Sequence, residues 1–186
     1  MSTLVELFAL HGRAKYLTDK GDAHSYFEIY DELFKPFQDR ECNFFECGIQ
    51  SGGDLKLFDD YFSRARIIGI DIEETYVKNA PVNNQYSERV KVIKQDFRTL
   101  DWRFFSYYNF IPDIAIDDGT HYLEDQLLFV KIMYPIINPS GLLIIEDIID
   151  IQNRKLEFEK LGYPFEIIDM SHLRPLNDNV LIIYRK

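Results

Sequence analysis

Two short acidic strings hold the residues best suited to chemistry. Asp117-Asp118-Gly119-Thr120-His121 follows a largely apolar run at 113–116, and Glu146-Asp147 follows a second at 142–145. Carboxylates grouped beside one imidazole can hold a hard divalent cation through oxygen and leave the histidine to accept a proton. Without a cation these acids would repel one another, which argues for a metal or for raised pKa values. Between the strings, Leu123, Leu127, Val130, Tyr134 and Ile137 recur by four and three, the spacing of one helix face. Strand, helix, strand is a crossover that makes the two strands parallel and puts their C-terminal ends on one edge. Ligands of open α/β sheets bind at that edge, so Asp118, His121, Glu146 and Asp147 should converge there. A lysine or arginine already neutralising that corner would reduce the functional account to a fold assignment.

A second candidate site precedes the first. The strand-like stretch 43–48 runs through Glu46 into a turn holding Gly48, Ser51, Gly52 and Gly53. Glycines there let the backbone pass close to a ligand, and the next helix N-terminus points N–H groups at it. The following strand ends in Asp71, about twenty residues on, where a carboxylate can take both hydroxyls of a ribose. Asp96 ends the third strand in the same row. The spacing is neither the G-x-G-x-x-G of a dinucleotide site nor a P-loop, because position 50 is Gln and no Lys-Ser/Thr follows Gly53.

These residues need a scaffold, and the pattern supplies one. Thr3-x-x-Glu6 and Ser25-x-x-Glu28 read as capping boxes of two N-terminal helices, the second carrying Phe27, Tyr30, Phe34 and Phe37 and ending near Pro36. Strands follow at 43–48, 67–71, 90–93, 112–117 and 142–146, with a helix at 55–62, the crossover helix above, and a helix at 151–161 stopped by Gly162. Two last strands at 165–168 and 180–184 flank a turn through Asn177-Asp178-Asn179. The expectation is one domain over 1–186: an N-terminal helical appendage at 1–41, then an α/β core with a mostly parallel sheet at 42–186. The aromatics, Trp102 and the 104–110 cluster included, read as core.

Composition narrows the partners. The net charge is −10 with no basic run, a poor match to a phosphate backbone, so a small molecule rather than nucleic acid is expected. No apolar run is long enough to span a membrane, and the N-terminus lacks a signal-peptide pattern. Cys42 and Cys47 read as buried thiols in a cytoplasmic protein.

The pattern E-x-G-x-x-x-G, with acids ending the second and third strands and a closing hairpin, resembles the S-adenosylmethionine site of class I methyltransferases. Joined in order, Thr18-Asp19-Lys20-Gly21 with His24 and Tyr26, FFECGIQSGGDLKLFDDYF, ARIIGIDIE, IDDGTH and LLIIED are similar to one branch. It comprises the macrocin and mycinamicin sugar O-methyltransferases and the cephalosporin hydroxylase-like proteins. The likeness covers roughly residues 16–150. It implies a Rossmann-like sandwich with a seven-stranded, mostly parallel sheet and a closing antiparallel hairpin. It implies S-adenosylmethionine held by Glu46, Gly48, Ser51, Gly52, Asp71, Asp96 and Asp117. It also implies Mg²⁺ or another divalent cation on Asp118, Glu146 and Asp147, with His121 as catalytic base. Catechol O-methyltransferases place metal acids at the same strand ends, with a lysine where His121 falls. Thr18–Gly21 and His24 would rim the pocket.

The implied activity is methyl transfer to a small hydroxylated acceptor, a sugar or glycosylated natural product, in a chain that such relatives suggest is a homo-oligomer. The alternatives are a cofactor-binding relative without transfer and a plain nucleotide-binding Rossmann domain, the latter disfavoured by the glycine spacing. The larger macrolide-sugar enzymes carry an extra N-terminal domain with no counterpart in these 186 residues, which argues against a large macrolide acceptor.

Overall fold

Among the described residues, seven strands form one sheet: β1 (Cys42–Cys47), β2 (Ala65–Asp71), β3 (Val90–Lys94), β4 (Ile114–Asp117), β5 (Leu142–Ile145), β6 (Glu166–Asp169) and β7 (Val180–Arg185). The structure, a computed structural model, describes residues 2–173 and 177–186. The strand order is β3-β2-β1-β4-β5-β7-β6. β1 through β5 pair in parallel, and β7 runs antiparallel to both β5 and β6. This is the mostly parallel sheet with a closing antiparallel hairpin that the pattern predicts.

The strands sort their side chains by alternation. Phe44, Ile67, Ile114, Ile116, Leu142 and Ile144 face one layer, with α1 (Leu4–Lys15), α2 (Tyr26–Phe34) and α3 (Gly53–Tyr61). Phe45, Ile68, Ile70, Ala115, Leu143 and Ile145 face the other, with α5 (Trp102–Tyr107), α6 (Leu123–Ile136) and α7 (Ile151–Glu159). Neighbouring strands hold this alternation in register, Phe44 opposite Ile67 and Ile114, and Ile114 opposite Leu142. Strands buried on both faces need no polar alternation, which is why they read as continuous apolar runs.

Several local expectations shift. Thr3 and Glu6 form the reciprocal capping box, but Ser25 caps nothing with its side chain, because its backbone (φ −118°, ψ 40°) is not extended as a cap requires. α2 ends at Phe34 and tightens into a 3₁₀ turn over Lys35–Phe37. α4 (Glu74–Asn84) and α5 have no counterpart in the sequence reading. α4 carries Pro81 inside it and buries only Ala80 and Asn84, so it has no apolar stripe to detect. In α6 the buried face is Gln126, Phe129, Val130 and Met133, rotated from the predicted stripe. Trp102 is 66% exposed, not core, while Phe105 and Phe110 are buried.

The N-terminal helices are part of the core. Tyr16, Tyr26, Tyr30 and Phe34 are fully buried in one cluster with Phe44 and Phe58, and the Tyr30 and Phe34 rings stack at 4.7 Å. This packing brings residues 16–30 over the C-terminal edge of the sheet.

Candidate active site

Gly48 sets the geometry of the edge. It leaves β1 with φ 87°, open to glycine, and a Cβ there would lie 2.0 Å from the Asp118 carbonyl oxygen. The turns after β1 and β4 therefore touch, and a cavity opens on each side of the contact. The larger, about 410 Å³, is lined by Gly48, Gln50, Asp71, Tyr76, Asp96 and Arg98 among others. The smaller, about 230 Å³, is lined by Thr18, Gly48, Ser51, Asp54, His121 and Asp147 among others, and Asp118 borders both.

In the larger cavity Asp71 is held from behind. The Gln50 N–H donates to Oδ2 (3.0 Å) and the Glu73 N–H to Oδ1 (2.8 Å). Each oxygen keeps a lone pair for a paired hydroxyl. Asp96 accepts from the Arg98 N–H (3.0 Å) and lies 3.4 Å from its guanidinium. Asp117 is buried behind Gly119, and burial, reinforced by Asp118, pushes its carboxyl up to about 7. Ser51 faces the smaller cavity, but its hydroxyl donates to the Leu17 carbonyl (3.1 Å). Gly52 takes φ 76°, whereas Gly53 makes room for the Leu17 backbone, 2.3 Å from where its Cβ would sit.

His121 stands between two acids. Its Nε2 lies 3.3 Å from Asp118 Oδ1 and 3.4 Å from Asp147 Oδ2. The hydrogen bond to Asp118 raises its pKa, with Asp147 adding to the effect and burial opposing it. His121 (φ 59°) and Asp147 (φ 56°) both adopt left-handed backbone, which turns their side chains into the same space. Asp147 Oδ1 accepts from the Tyr26 hydroxyl (2.5 Å) and lies 3.4 Å from His24 Nε2. One atom from each of Asp118, His121 and Asp147 falls within 4.8 Å of the others, close enough for one ion.

Glu146 is placed differently. It is buried, bonded to Lys20 and to the Tyr30 hydroxyl, and its backbone carbonyl accepts from Gln126 (3.0 Å). Lys20 is 1% exposed, with Nζ also 2.5 Å from Asp118 Oδ2, 3.5 Å from Asp54 and 3.9 Å from Glu46. Burial pulls the ammonium pKa down, but the four carboxylates outweigh it and the pKa rises well above the usual lysine value. Lys20 and His121 likewise hold Asp118 below the usual range against burial. Lys20 is thus the neutralising cation that the sequence reading named as the observation that would count against the account. It answers the repulsion for Asp118 and Glu146, so charge alone no longer requires a metal.

Glu46 points at the same ammonium and is fully buried, away from both cavities, and burial drives its carboxyl well up. The sequence reading places Thr18–Gly21 and His24 at the rim. The structure puts Lys20 beneath the floor, brings Tyr26 of the same motif onto Asp147, and adds Tyr30 and Asp54, which the sequence reading placed on the second helix and after the glycine turn without a site role.

Sheet order and this edge together define the class I S-adenosylmethionine-dependent methyltransferase fold. No family model matches the chain. Within the class, the chain is related to sugar O-methyltransferases. It is 31% identical over 143 residues to demethylmacrocin O-methyltransferase of Streptomyces fradiae, covering 73% of this chain and 35% of that protein. It is 29% identical over 139 residues to 8-demethyl-8-alpha-L-rhamnosyl tetracenomycin-C 2′-O-methyltransferase of Streptomyces olivaceus, covering 70% and 35%. The chain spans about a third of the length of these relatives (35% of each). Among solved structures it superposes on the MycE methyltransferase of the mycinamycin pathway, in complex with Mg and SAH, with TM-score 0.62 and 26% identity over 78% of this chain and 37% of that one. A further MycE structure also holds mycinamycin VI.

Proposed function

We propose that this chain transfers a methyl group from S-adenosylmethionine to a hydroxyl of a sugar or glycosylated small molecule. The observation that carries the reading is the meeting of the two cavities at Gly48 and Asp118. One holds a ribose-competent carboxylate and the other a base flanked by acids. The relatives' O-methyltransferase activities and the Mg and SAH bound to MycE support it.

Asp71 would take the ribose hydroxyls, and Gly48 and Gly52 would let the backbone follow the rest of the cofactor. Asp117, beside the Gly48 turn, would lie near the sulfonium. Asp118 and Asp147 would hold a Mg²⁺ ion, Glu146 being drawn off by Lys20 and Tyr30. When bound, the sulfonium supplies the electrophile and the ion supplies Lewis acidity toward the acceptor hydroxyl. His121 would take the hydroxyl proton once Asp118 and Asp147 turn to the ion, because an Nε2 that donates to a carboxylate has no lone pair to offer. Asp147 is itself fixed by Tyr26, so the base rests on a chain of buried groups. The net charge of −10 favours a small-molecule acceptor over nucleic acid, and two free, buried cysteines fit a cytoplasmic setting.

Lys20 favours a second reading, a relative that binds the cofactor without transferring methyl. Calorimetry with S-adenosylhomocysteine, with and without Mg²⁺, and transfer of labelled methyl to glycosylated acceptors separate the two. Binding strengthened by Mg²⁺ together with transfer is the expected result. Binding indifferent to metal and no transfer would leave the second reading. Preference for NAD would overturn both.

A further inference from the structure

Two carboxylate sets at this edge could each surround a cation, and they share Asp118 through different oxygens. Asp118 Oδ1 faces His121 and Asp147; Oδ2 faces Lys20 with Asp54, Glu46 and Glu146. Glu46, Asp54 and Asp118 have oxygens within 4.8 Å of one another, the spacing of a metal-binding group. Glu46 is 0% exposed, and neither of its oxygens has a hydrogen-bond partner among the described residues; nor does Asp54 Oδ1. Three donors on one ammonium cannot satisfy four carboxylates. Buried acceptors left over in this way mark a pocket built for a charge at its centre rather than for a hydrogen-bond network.

We propose that Lys20 is a resident cation, an ammonium standing in the inner of two cation positions bridged by Asp118. The shell around its Nζ is an oxygen shell drawn from three strand ends and the first turn of α3, as a hard metal ion would gather. A covalently tethered charge cannot exchange with solvent. The inner position is therefore closed to ions, and an exchangeable ion can enter only at the outer position beside His121. Lys20 also draws Glu146 inward, which makes it a positioning residue for the outer site. This inference shares Asp118 with the proposed metal site but stands on the inner set alone.

The test counts ions. Lys20→Ser removes the ammonium and opens space for an ion, and equilibrium dialysis with Mn²⁺ measures what is bound per chain. The variant is expected to bind one further Mn²⁺ compared with the native chain, and its thermal midpoint is expected to rise more steeply with Mn²⁺. Adding Glu46→Gln should abolish the additional ion. A folded Lys20→Ser chain that binds no more Mn²⁺ than the native protein overturns the proposal. So does a variant that Mn²⁺ cannot restore to a folded state, because an ion able to replace the ammonium would restore it. If the native chain binds no Mn²⁺ and the variant binds one, the inner-site inference holds and the metal site proposed at Asp118 and Asp147 fails.

Discussion

At the scale of single residues, the site depends on which oxygen of a carboxylate faces what. Asp118 serves Lys20 with one oxygen and His121 with the other, so a substitution there would disturb two networks at once. His121 is the cleaner probe, since its ring is a third exposed and no strand depends on it. His121→Ala should cut turnover by roughly 10²- to 10⁴-fold, the usual worth of a general base, with S-adenosylhomocysteine affinity nearly unchanged. Steady-state rates beside calorimetry decide this, and unaltered turnover would remove His121 from the mechanism. The residues themselves were visible in the sequence, because acids and a histidine after apolar runs stand out. Their pairing was not, because a linear pattern cannot say that Glu146 turns toward Lys20, 126 positions away.

At the scale of elements, the end of α1 is tied to α3 through Asp60. Its carboxylate accepts from Lys56 (2.6 Å) and from the Tyr16 hydroxyl (2.9 Å), and lies 2.8 Å from Lys15. Burial would raise its pKa, but these three partners outweigh burial and lower it. A folded-state pKa below the unfolded one contributes stability that is present above about pH 4 and lost as pH falls through the folded value. Asp60→Asn should therefore cost about 1 kcal/mol at pH 7, a modest figure for a partly exposed cluster. The gap to the native chain should close below about pH 4, as thermal melts across pH would record. A pH-independent gap would show that packing rather than charge is lost. The elements with strong periodicity or caps were legible in advance; α4 was not, since an exposed helix with an internal proline leaves no stripe.

At the scale of the whole molecule, the segment before β1 is the main surprise. It reads as an appendage because its helices precede the alternating pattern. In the structure it completes one face of the core, through Tyr16, Tyr26, Tyr30 and Phe34, and one wall of the site, through Lys20, His24 and Tyr26. Deleting residues 2–41 should abolish cooperative unfolding, because Phe44, Phe58 and Phe62 would lose their covering layer. Calorimetry of the truncated chain checks this, and a sharp two-state melt near the native midpoint would restore the appendage view. Among the described residues no helix is long and apolar enough to cross a membrane.

Reading the chain in one dimension was enough for the sheet, the glycine turn and the edge where the acids gather, because strand burial, turn geometry and crossover handedness are local rules. Only the folded chain shows that a lysine from residue 20 sits among those acids and that Glu146 belongs to it. The reason is that charge compensation in a buried corner depends on distance in space, which sequence separation does not encode.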